Sequence, residues 1–420
     1  MNIDINTKNK EIIYLLVYPY YTTLFLVNKL NLTEFPDYVK IEFWEISKTT
    51  SNIQFNKSLD LINYNNKFNF RKFDTIISFA QSFRRFVLQH EQNLICINNM
   101  VPQDKTSYFI IRAFLKFQAR KVNIKYIETL GSGIPISNLN EFIGSNKSAK
   151  QISKIKNVMT MIKNYTTIKN IWRYFLKKID DLCPFSETYF IVAGRDYEKI
   201  LDKVVKKSDH IVKAHSRDYN EYILKKKIIM ENKEHSKKWI TLLDGAGPGF
   251  YSDTEILKIK THITAEVWYP RLNDFLSILE NKYNVSTKVA GHYLSNYKNP
   301  CSLFAGREVI YDKTLELVSN SEFVITRRST SISFAVILKK PIILIYSNQL
   351  KKDAVFMRDL NILASKLGTV PINIDHPPDN FDIYLKVNEI MYSKYEENFL
   401  TSADKSESNI EIITRSIFHY

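Results

Sequence analysis

Three clusters of polar residues in the second half of the chain could carry chemistry, because each follows a short apolar run typical of a buried strand. They are Asp244-Gly245, Gly291-His292 and Ser329-Thr330-Ser331. A carboxylate can take a proton from a hydroxyl group, an imidazole can stabilise developing charge, and hydroxyl groups before a helix can bind phosphate. Each cluster also has an ordinary structural explanation: a turn, a core histidine and a helix cap.

The third cluster lies in a stretch that reads as a strand, a helix and a second strand. Residues 323–326 and 342–346 are short apolar runs, and residues 332–339 between them fit a helix. In such a βαβ unit the carboxyl end of the strand meets the amino end of the helix. Ser329, Thr330 and Ser331 are therefore expected to face a ligand crevice, where free N–H groups favour an anion such as phosphate. Helix capping stays open as the alternative.

The rest of the chain shows the same alternation, which predicts an α/β fold with parallel sheets. In the first half, strands are predicted at residues 12–18, 39–45, 75–79, 94–97, 124–128, 189–194 and 210–215, and helices at 22–30, 109–120 and 158–180. In the second half, further strands are predicted at 239–243, 286–290 and 309–311, and helices at 269–283, 314–320 and 409–418.

The charged segment 224–238 is interpreted as the linker between two domains. We accordingly place a first Rossmann-like domain at residues 1–228 and a second at 236–400. A C-terminal helix within residues 401–420 could pack back on the first domain.

Composition limits the class of protein. The 420 residues are 45% hydrophobic and 13% aromatic, which excludes a disordered chain. Lys and Arg outnumber Asp and Glu by 59 to 44, and the net charge of +15 favours anionic partners such as a phosphate-bearing substrate or a membrane surface. The basic residues form no known nucleic-acid module, so nucleic acid is not an expected partner.

The sequence shows no signal for a disulfide framework, a membrane span, a metal site or a serine nucleophile. Three widely separated cysteines fit a reducing cytoplasm and show no disulfide framework. The apolar segment 12–27 contains Pro19 and is interpreted as a core strand and helix instead of a membrane span. The 8 histidines form no metal-ligand group and no DxD or GxSxG motif occurs, so neither a metal site nor a serine nucleophile is expected.

The order of the three clusters resembles the D/E-D/E-G, HP and S/T motifs of bacterial sialyltransferases and polysialyltransferases. Residues 239–347 are also similar to capsule and O-antigen proteins predicted to be glycosyltransferases. The resemblance implies a GT-B architecture, in which two Rossmann-like domains face a cleft and the second holds the nucleotide donor. The sequence departs from the motifs at Leu243 and Tyr293, and a true His-Pro pair occurs only later, at His376-Pro377.

By this resemblance Asp244 is the general base and His292 contacts the nucleotide phosphate, while Ser329 and Thr330 fall on the phosphate-binding pair, with Ser331 beside them. Asp253 is the alternative base. Secondary candidates near the nucleotide are Arg307, Lys313, Thr314 and Arg327, with Glu316 for a ribose hydroxyl, and each could equally be a surface residue.

These observations predict a cytoplasmic, metal-independent glycosyltransferase that inverts the anomeric centre by direct displacement. The expected partners are a nucleotide-sugar donor, for which a CMP-activated sialic-acid or Kdo-type sugar is one candidate, and a surface polysaccharide or lipid-linked oligosaccharide acceptor. A peripheral contact with the anionic inner membrane is a further expectation, and no cofactor is expected beyond the donor. Two alternatives stay open: a nucleotide-sugar epimerase or hydrolase of the same fold, and a non-catalytic basic protein that binds membrane or polyanion.

Overall fold

The computed structural model describes residues 10–16, 33, 35–46, 68–89, 94–98, 106–119, 125–130, 135, 188–201, 209–232, 238–245, 248, 262–292, 297 and 299–418. These residues form two parallel sheets, one from each half of the sequence. The predicted α/β architecture is therefore confirmed.

The first sheet contains, among the described residues, β1 (Lys10–Leu16), β2 (Val39–Glu45), β3 (Phe68–Lys72), β4 (Leu94–Asn98), β5 (Lys125–Leu130), β6 (Thr188–Val192) and β7 (Asp209–Lys213). All its pairings are parallel, in the order β3-β2-β1-β4-β5-β6-β7. The helices that the structure describes in this half are α1 (Ile76–Gln89), α2 (Thr106–Ala119), α3 (Arg195–Leu201) and α4 (Arg217–Asn232). The helices predicted at 22–30 and 158–180 lie outside the described residues.

The prediction of a strand at residues 75–79 is wrong, because this segment begins α1. The Ser78 backbone N–H donates to Thr75 Oγ1 at 3.1 Å and the Thr75 N–H donates to Ser78 Oγ at 3.4 Å, which caps the first turn reciprocally. The buried face of the helix then consists of Phe79, Phe83, Phe86 and Val87. Their spacing of three and four residues is helical, although aromatic composition favours strands.

The segment predicted to be a linker, residues 224–238, is largely helical, because α4 continues to Asn232. Ile229 is buried, and Lys225 Nζ lies 3.0 Å from Glu221 Oε1 one turn earlier. The charged run is thus the outer face of a helix with an internal ion pair. The helix also passes through residue 228, and the domain boundaries stay predictions.

The second sheet contains β8 (Trp239–Leu243), β9 (Thr287–Gly291), β10 (Glu308–Tyr311), β11 (Ser321–Thr326), β12 (Ile342–Tyr346) and β13 (Ile372–Asn373). Between them lie α5 (Ala265–Tyr283), α6 (Pro300–Leu303), α7 (Thr314–Ser319), α8 (Ile332–Ile337), a 3₁₀ turn (Leu350–Lys352) and α9 (Ala354–Leu367). The chain ends in α10 (Glu389–Tyr395), a π-helical turn (Glu396–Leu400), α11 (Asn409–Ile413) and a second π-helical turn (Thr414–Phe418).

The order of the second sheet is β10-β9-β8-β11-β12-β13, and every pairing is parallel. The chain therefore runs outward from β8 to β10 and then returns to β11 beside β8. Helix α5 covers one face through Leu272, Phe275, Leu276 and Leu279, and α7 and α8 cover the other. This arrangement is doubly wound, and the reversal between β8 and β11 is its topological switch point.

The end of the chain returns to the first sheet. The Ser402 N–H donates to the Ala214 carbonyl at 2.9 Å, and Ser402 Oγ accepts from the Gly194 N–H at 2.7 Å. Gly194 has a φ of +92°, and a Cβ there would lie 2.3 Å from the Asn398 carbonyl oxygen, so the close approach requires glycine. Ile410, Ile412 and Ile417 are buried in the same cluster as Ile12 and Val212.

Candidate functional site

The carboxyl ends of β8, β9 and β11 lie side by side at the switch point. In the strand register Leu243 pairs with Ala290 on one side and with Thr326 on the other. Asp244, the Gly291-His292 pair and Arg327 follow these positions directly. The three polar clusters identified in the sequence therefore share one edge of the sheet.

Asp244 is the buried carboxylate of this edge, with 6% of its surface exposed. The Tyr297 hydroxyl donates a hydrogen bond to its Oδ2 atom. Burial, and then the charge of this carboxylate, raise the pKa of Tyr269 and of Tyr311, whereas the Arg327 guanidinium lowers that of Tyr269 in part. Both tyrosines therefore lie within electrostatic range of Asp244, and Tyr269 also lies within range of Arg327.

Aromatic rings form the wall around this carboxylate. The rings of Tyr269 and Tyr297 both meet Phe304 edge to face, with ring centroids 5.4 and 5.5 Å apart. Tyr311 covers the end of β9, since a Cβ at Gly291 would lie 2.7 Å from its ring. These contacts explain the need for glycine before His292 and limit the motion of the tyrosines.

Arg327 is held at the same edge by two contacts. Its Nη2 atom donates to the Gly245 carbonyl oxygen at 3.2 Å, and its Cζ atom lies 4.9 Å from the ring centroid of Trp268. A guanidinium stacked on an indole keeps its plane fixed. Among the secondary candidates, Arg327 is therefore the cation that lies beside Asp244.

The turn from Ser329 to Ser331 connects β11 to α8. The Ser329 N–H donates to Thr326 Oγ1 at 3.2 Å, and the Ser331 N–H donates to Ser329 Oγ at 3.3 Å. Ser331 occupies the N-cap position, but its hydroxyl makes no capping hydrogen bond. The capping explanation therefore does not account for this serine, and Thr330 is exposed in the same turn.

Arg307 lies at the opposite edge of the sheet, and its contacts there do not support the predicted phosphate role. It precedes β10, and its guanidinium bonds both oxygens of Glu280, at 2.8 and 2.6 Å, and also Asn273 Oδ1 at 3.0 Å. Burial alone would raise the pKa of Glu280, but hydrogen bonds from Arg307 and Thr287 hold it below its ordinary value. Arg307 is thus a structural cation that joins α5 to β10.

The remaining candidates are more distant from Asp244 in the sheet order. Lys313 and Thr314 begin α7 beyond β10, the edge strand of the sheet. Glu316 faces α4, with its Oε1 atom 3.6 Å from Lys225 Nζ, and this contact does not support a ribose role. Asp253 lies outside the described residues.

The residues that the sequence analysis missed are aromatic. Trp268 and Tyr269 are in the first turn of α5, and Tyr297 follows β9. Trp268 Nε1 and Tyr269 Oη are buried without a hydrogen-bond partner among the described residues. The available signal was the aromatic pair Trp268-Tyr269 at the start of the predicted helix 269–283, since aromatic side chains commonly line ligand sites.

The described residues also bear on metal binding and on membrane crossing. No group of three or more His, Cys, Asp or Glu side chains there could hold a metal ion, and metal independence of the reaction stays a prediction. None of the helices in the described part of the chain is long and apolar enough to cross a membrane.

The two doubly wound halves define a GT-B fold, which confirms the predicted fold class. No protein-family model matches the sequence, and no curated protein matches it. The wall teichoic acid polymerase TagF, in its H444N variant, superposes with a TM-score of 0.52 and 14% identity over 98% of this chain and 90% of that chain.

Two further solved structures are similar. UGT2 of Phytolacca americana, complexed with UDP-2fluoro-glucose and pterostilbene, gives a TM-score of 0.49 at 9% identity over 97% of this chain and 93% of that one. An alpha/beta-galactoside alpha-2,3-sialyltransferase of Photobacterium phosphoreum gives 0.44 at 14% identity over 85% and 96%. At 14% identity the superposition on TagF supports the fold alone.

Proposed function

We propose that the chain is a glycosyltransferase that moves a sugar from a nucleotide donor to an acceptor hydroxyl group. The observation that carries the proposal is the meeting of Asp244, Arg327 and the Ser329 to Ser331 turn at the switch point. Ligands of doubly wound sheets bind outside the carboxyl ends of the strands at this point. A guanidinium and a hydroxyl-rich turn suit a phosphate, and a buried carboxylate suits proton removal.

The donor phosphate binds between Arg327, the serine and threonine hydroxyls of the turn, and His292. Arg327 can bond a phosphate through two nitrogen atoms, and its stacking on Trp268 orients it before the ligand arrives. Positive charge at this place stabilises the negative charge that develops on the leaving nucleotide.

Asp244 acts as the general base. As the acceptor oxygen bonds to the anomeric carbon, its proton passes to the carboxylate and the bond from that carbon to the phosphate oxygen breaks. The departing nucleotide keeps the electron pair of the broken bond, and the anomeric centre is inverted. The Tyr297 hydroxyl donates to this carboxylate, and a hydrogen bond to the charged form favours the ionised state that this step needs.

The donor is proposed to be a nucleotide sugar, with CMP-linked sialic-acid or Kdo-type sugars as the first to test. The order of the three clusters supports this choice, and Arg327 could also bind a sugar carboxylate. The acceptor is proposed to be a surface polysaccharide or a lipid-linked oligosaccharide at the cytoplasmic membrane face. The fold similarity to the wall teichoic acid polymerase TagF supports an acceptor of this kind.

Calorimetric and thermal-shift titrations with CMP, UDP, GDP and their sugars test the proposal, since a ligand that binds the native state raises the melting temperature. We expect one nucleotide to stabilise the protein. The substitutions Arg327→Gln and His292→Asn should each weaken the binding of that nucleotide at least about tenfold. The matched control is His376→Asn, because His376 belongs to the later His-Pro pair and to none of the three polar clusters. Absence of binding by every nucleotide overturns the proposal, and donor consumption without acceptor favours a hydrolase.

A further inference from the structure

Two neighbouring helices of the first half, α1 and α2, expose large apolar side chains. On α1, Ile77 is 69% exposed and Leu88 is 60% exposed. On α2, Phe117 is 53% exposed and Ile110 is 36% exposed. Side chains of this size at such exposure are normal when isolated, but a group of them on adjacent elements indicates an interaction surface.

The spacing of these residues places them on the outward faces of both helices. Ile77, Arg84 and Leu88 are separated by seven and four residues, so they form one stripe along α1. Ile110 and Phe117 are seven residues apart on α2 and also share a face. The helices are packed side by side, because the ring of Phe114 on α2 meets those of Phe79 and Phe83 at 6.2 and 5.9 Å.

The charged side chains of these two helices are basic. Arg84 lies in the stripe of α1 and Arg85 lies beside it, and both are exposed. Neither helix contains an aspartate or a glutamate, although the exposed Asp74 precedes α1. Helix α4 provides a contrast, since its exposed Ile228 and Met230 share the helix with acidic residues. An apolar surface on helices with basic and no acidic side chains is complementary to a bilayer that carries anionic headgroups.

We propose that the outward faces of α1 and α2 bind the surface of a membrane that contains anionic lipids. Ile77, Leu88 and Phe117 enter the boundary between headgroups and acyl chains, and Arg84 and Arg85 pair with lipid phosphates. Helix α1 begins just beyond β3, at the carboxyl edge of the first sheet. Docking through this surface would bring that edge, where doubly wound sheets bind ligands, close to a membrane-linked substrate.

The test is co-sedimentation of the full chain with vesicles of roughly 30% phosphatidylglycerol in phosphatidylcholine, compared with phosphatidylcholine alone. We expect binding to the anionic vesicles that weakens when NaCl is raised from about 0.1 M to about 0.5 M. The double variant Arg84→Gln with Arg85→Gln should reduce the partition coefficient roughly 25-fold, since each basic residue near an anionic surface contributes about fivefold. Ile77→Ser with Leu88→Ser should reduce it as well.

The matched control is Lys226→Gln with Lys227→Gln on α4, which removes the same net charge from another helix. Binding that survives in the control and is lost in the α1 variants supports the proposal, provided that all variants keep the melting temperature of the parent. An equal loss of vesicle binding in the control would show that binding depends on net charge alone. A change of oligomeric state in the Ile77 and Leu88 variant would show that the surface serves self-association. Either result overturns the proposal, as does absence of vesicle binding. Because no donor or acceptor is present, the outcome is independent of the proposed transfer reaction.

Discussion

The two edges of the second sheet each hold an arginine near a carboxylate, but the surroundings of the two pairs differ. At the amino edge, Arg307 bonds both oxygens of Glu280, and only 9% of its side-chain surface is exposed. At the carboxyl edge, Arg327 stacks on Trp268 and bonds a backbone carbonyl, while Asp244 accepts a hydrogen bond from a tyrosine. The first pair is closed on itself, whereas each member of the second contacts an aromatic side chain.

The difference leads us to expect that the amino edge of the sheet contributes to stability and the carboxyl edge to function. A closed, bidentate ion pair satisfies its own hydrogen bonds and contributes to folding. Trp268 Nε1 and Tyr269 Oη, which are buried without a partner among the described residues, both lie by the carboxyl edge. Buried polar atoms of this kind cost stability and require an explanation, and a ligand site provides one. Substitutions at the two edges should therefore affect different properties.

Asp244→Asn should cause the largest functional loss. Without a base, turnover should fall by about a thousandfold, within the range usual for general base catalysis, while nucleotide affinity stays within about threefold. Steady-state kinetics and calorimetric titration with the donor measure the two quantities. Asp274→Asn, at an exposed position of α5, is the control. Unchanged turnover in Asp244→Asn would show that another residue is the base.

Arg307→Met should have the largest effect on stability. Removal of one partner of a largely buried pair leaves Glu280 uncompensated, so the free energy of unfolding should fall by about 3 kcal/mol. Urea unfolding measures the change, and Arg271→Met, whose side chain is 60% exposed, should cost less than about 1 kcal/mol. Donor affinity of the folded variant should equal that of the parent. A loss of affinity without a loss of stability would place Arg307 in the binding site.

The dependence of stability on acidic pH tests the same ion pair between Arg307 and Glu280. The pKa of Glu280 in the folded protein is below its ordinary value of 4.5, so its contribution to stability is present above pH 4.5 and is lost as the pH falls through the folded value. The parent protein should therefore lose stability more steeply on acidification than Arg307→Met does. Parallel curves for the two proteins would argue against the pair as the source of the stability.

The substitution Tyr297→Phe tests the assignment of Asp244, at the carboxyl edge, as the general base. Loss of the donated hydrogen bond makes the Asp244 carboxylate easier to protonate, so the acidic limb of kcat/KM should move to higher pH. The value of kcat/KM below neutral pH should fall by about tenfold, the usual contribution of a hydrogen bond to a charged group. A uniform decrease at all pH values, without a shift of the limb, would indicate that Tyr297 only supports the loop.

Part of the arrangement at the two edges of the second sheet could be predicted from the sequence. Alternating apolar runs and turns located β8, β11 and β12, and parallel strands necessarily bring their carboxyl ends to one edge, so the meeting of Asp244 with the Ser329 to Ser331 turn was predictable. The same strand predictions also separate the two arginines, because Arg307 precedes the strand predicted at residues 309–311 and Arg327 follows the one predicted at 323–326. The pairing of Arg307 with Glu280 could not be predicted, because the two residues are distant in the sequence.

The wrong strand prediction in the first half has a different physical origin. Residues 75–79 are β-branched or aromatic except for Ser78, and a two-residue cap at Thr75 and Ser78 outweighs that local preference. The run of lysines in α4 has the composition of a linker, yet buried residues such as Tyr219 and Ile229 on its other face hold it as a helix. Tyr297 was missed because its position depends on a loop conformation, which local sequence patterns do not specify.

Ser331→Ala is expected to have the smallest effect on stability, and it tests capping against ligand binding directly. Because the Ser331 hydroxyl makes no capping bond, its loss should change the free energy of unfolding by less than about 0.3 kcal/mol. Ser408→Ala is the matched control, since Ser408 forms a complete capping box at α11 and its loss should cost about 1 kcal/mol. Donor affinity should fall in Ser331→Ala and stay constant in Ser408→Ala. The opposite pattern, lower stability with full affinity in Ser331→Ala, would return this serine to helix capping and leave phosphate binding to Arg327, His292 and the rest of the turn.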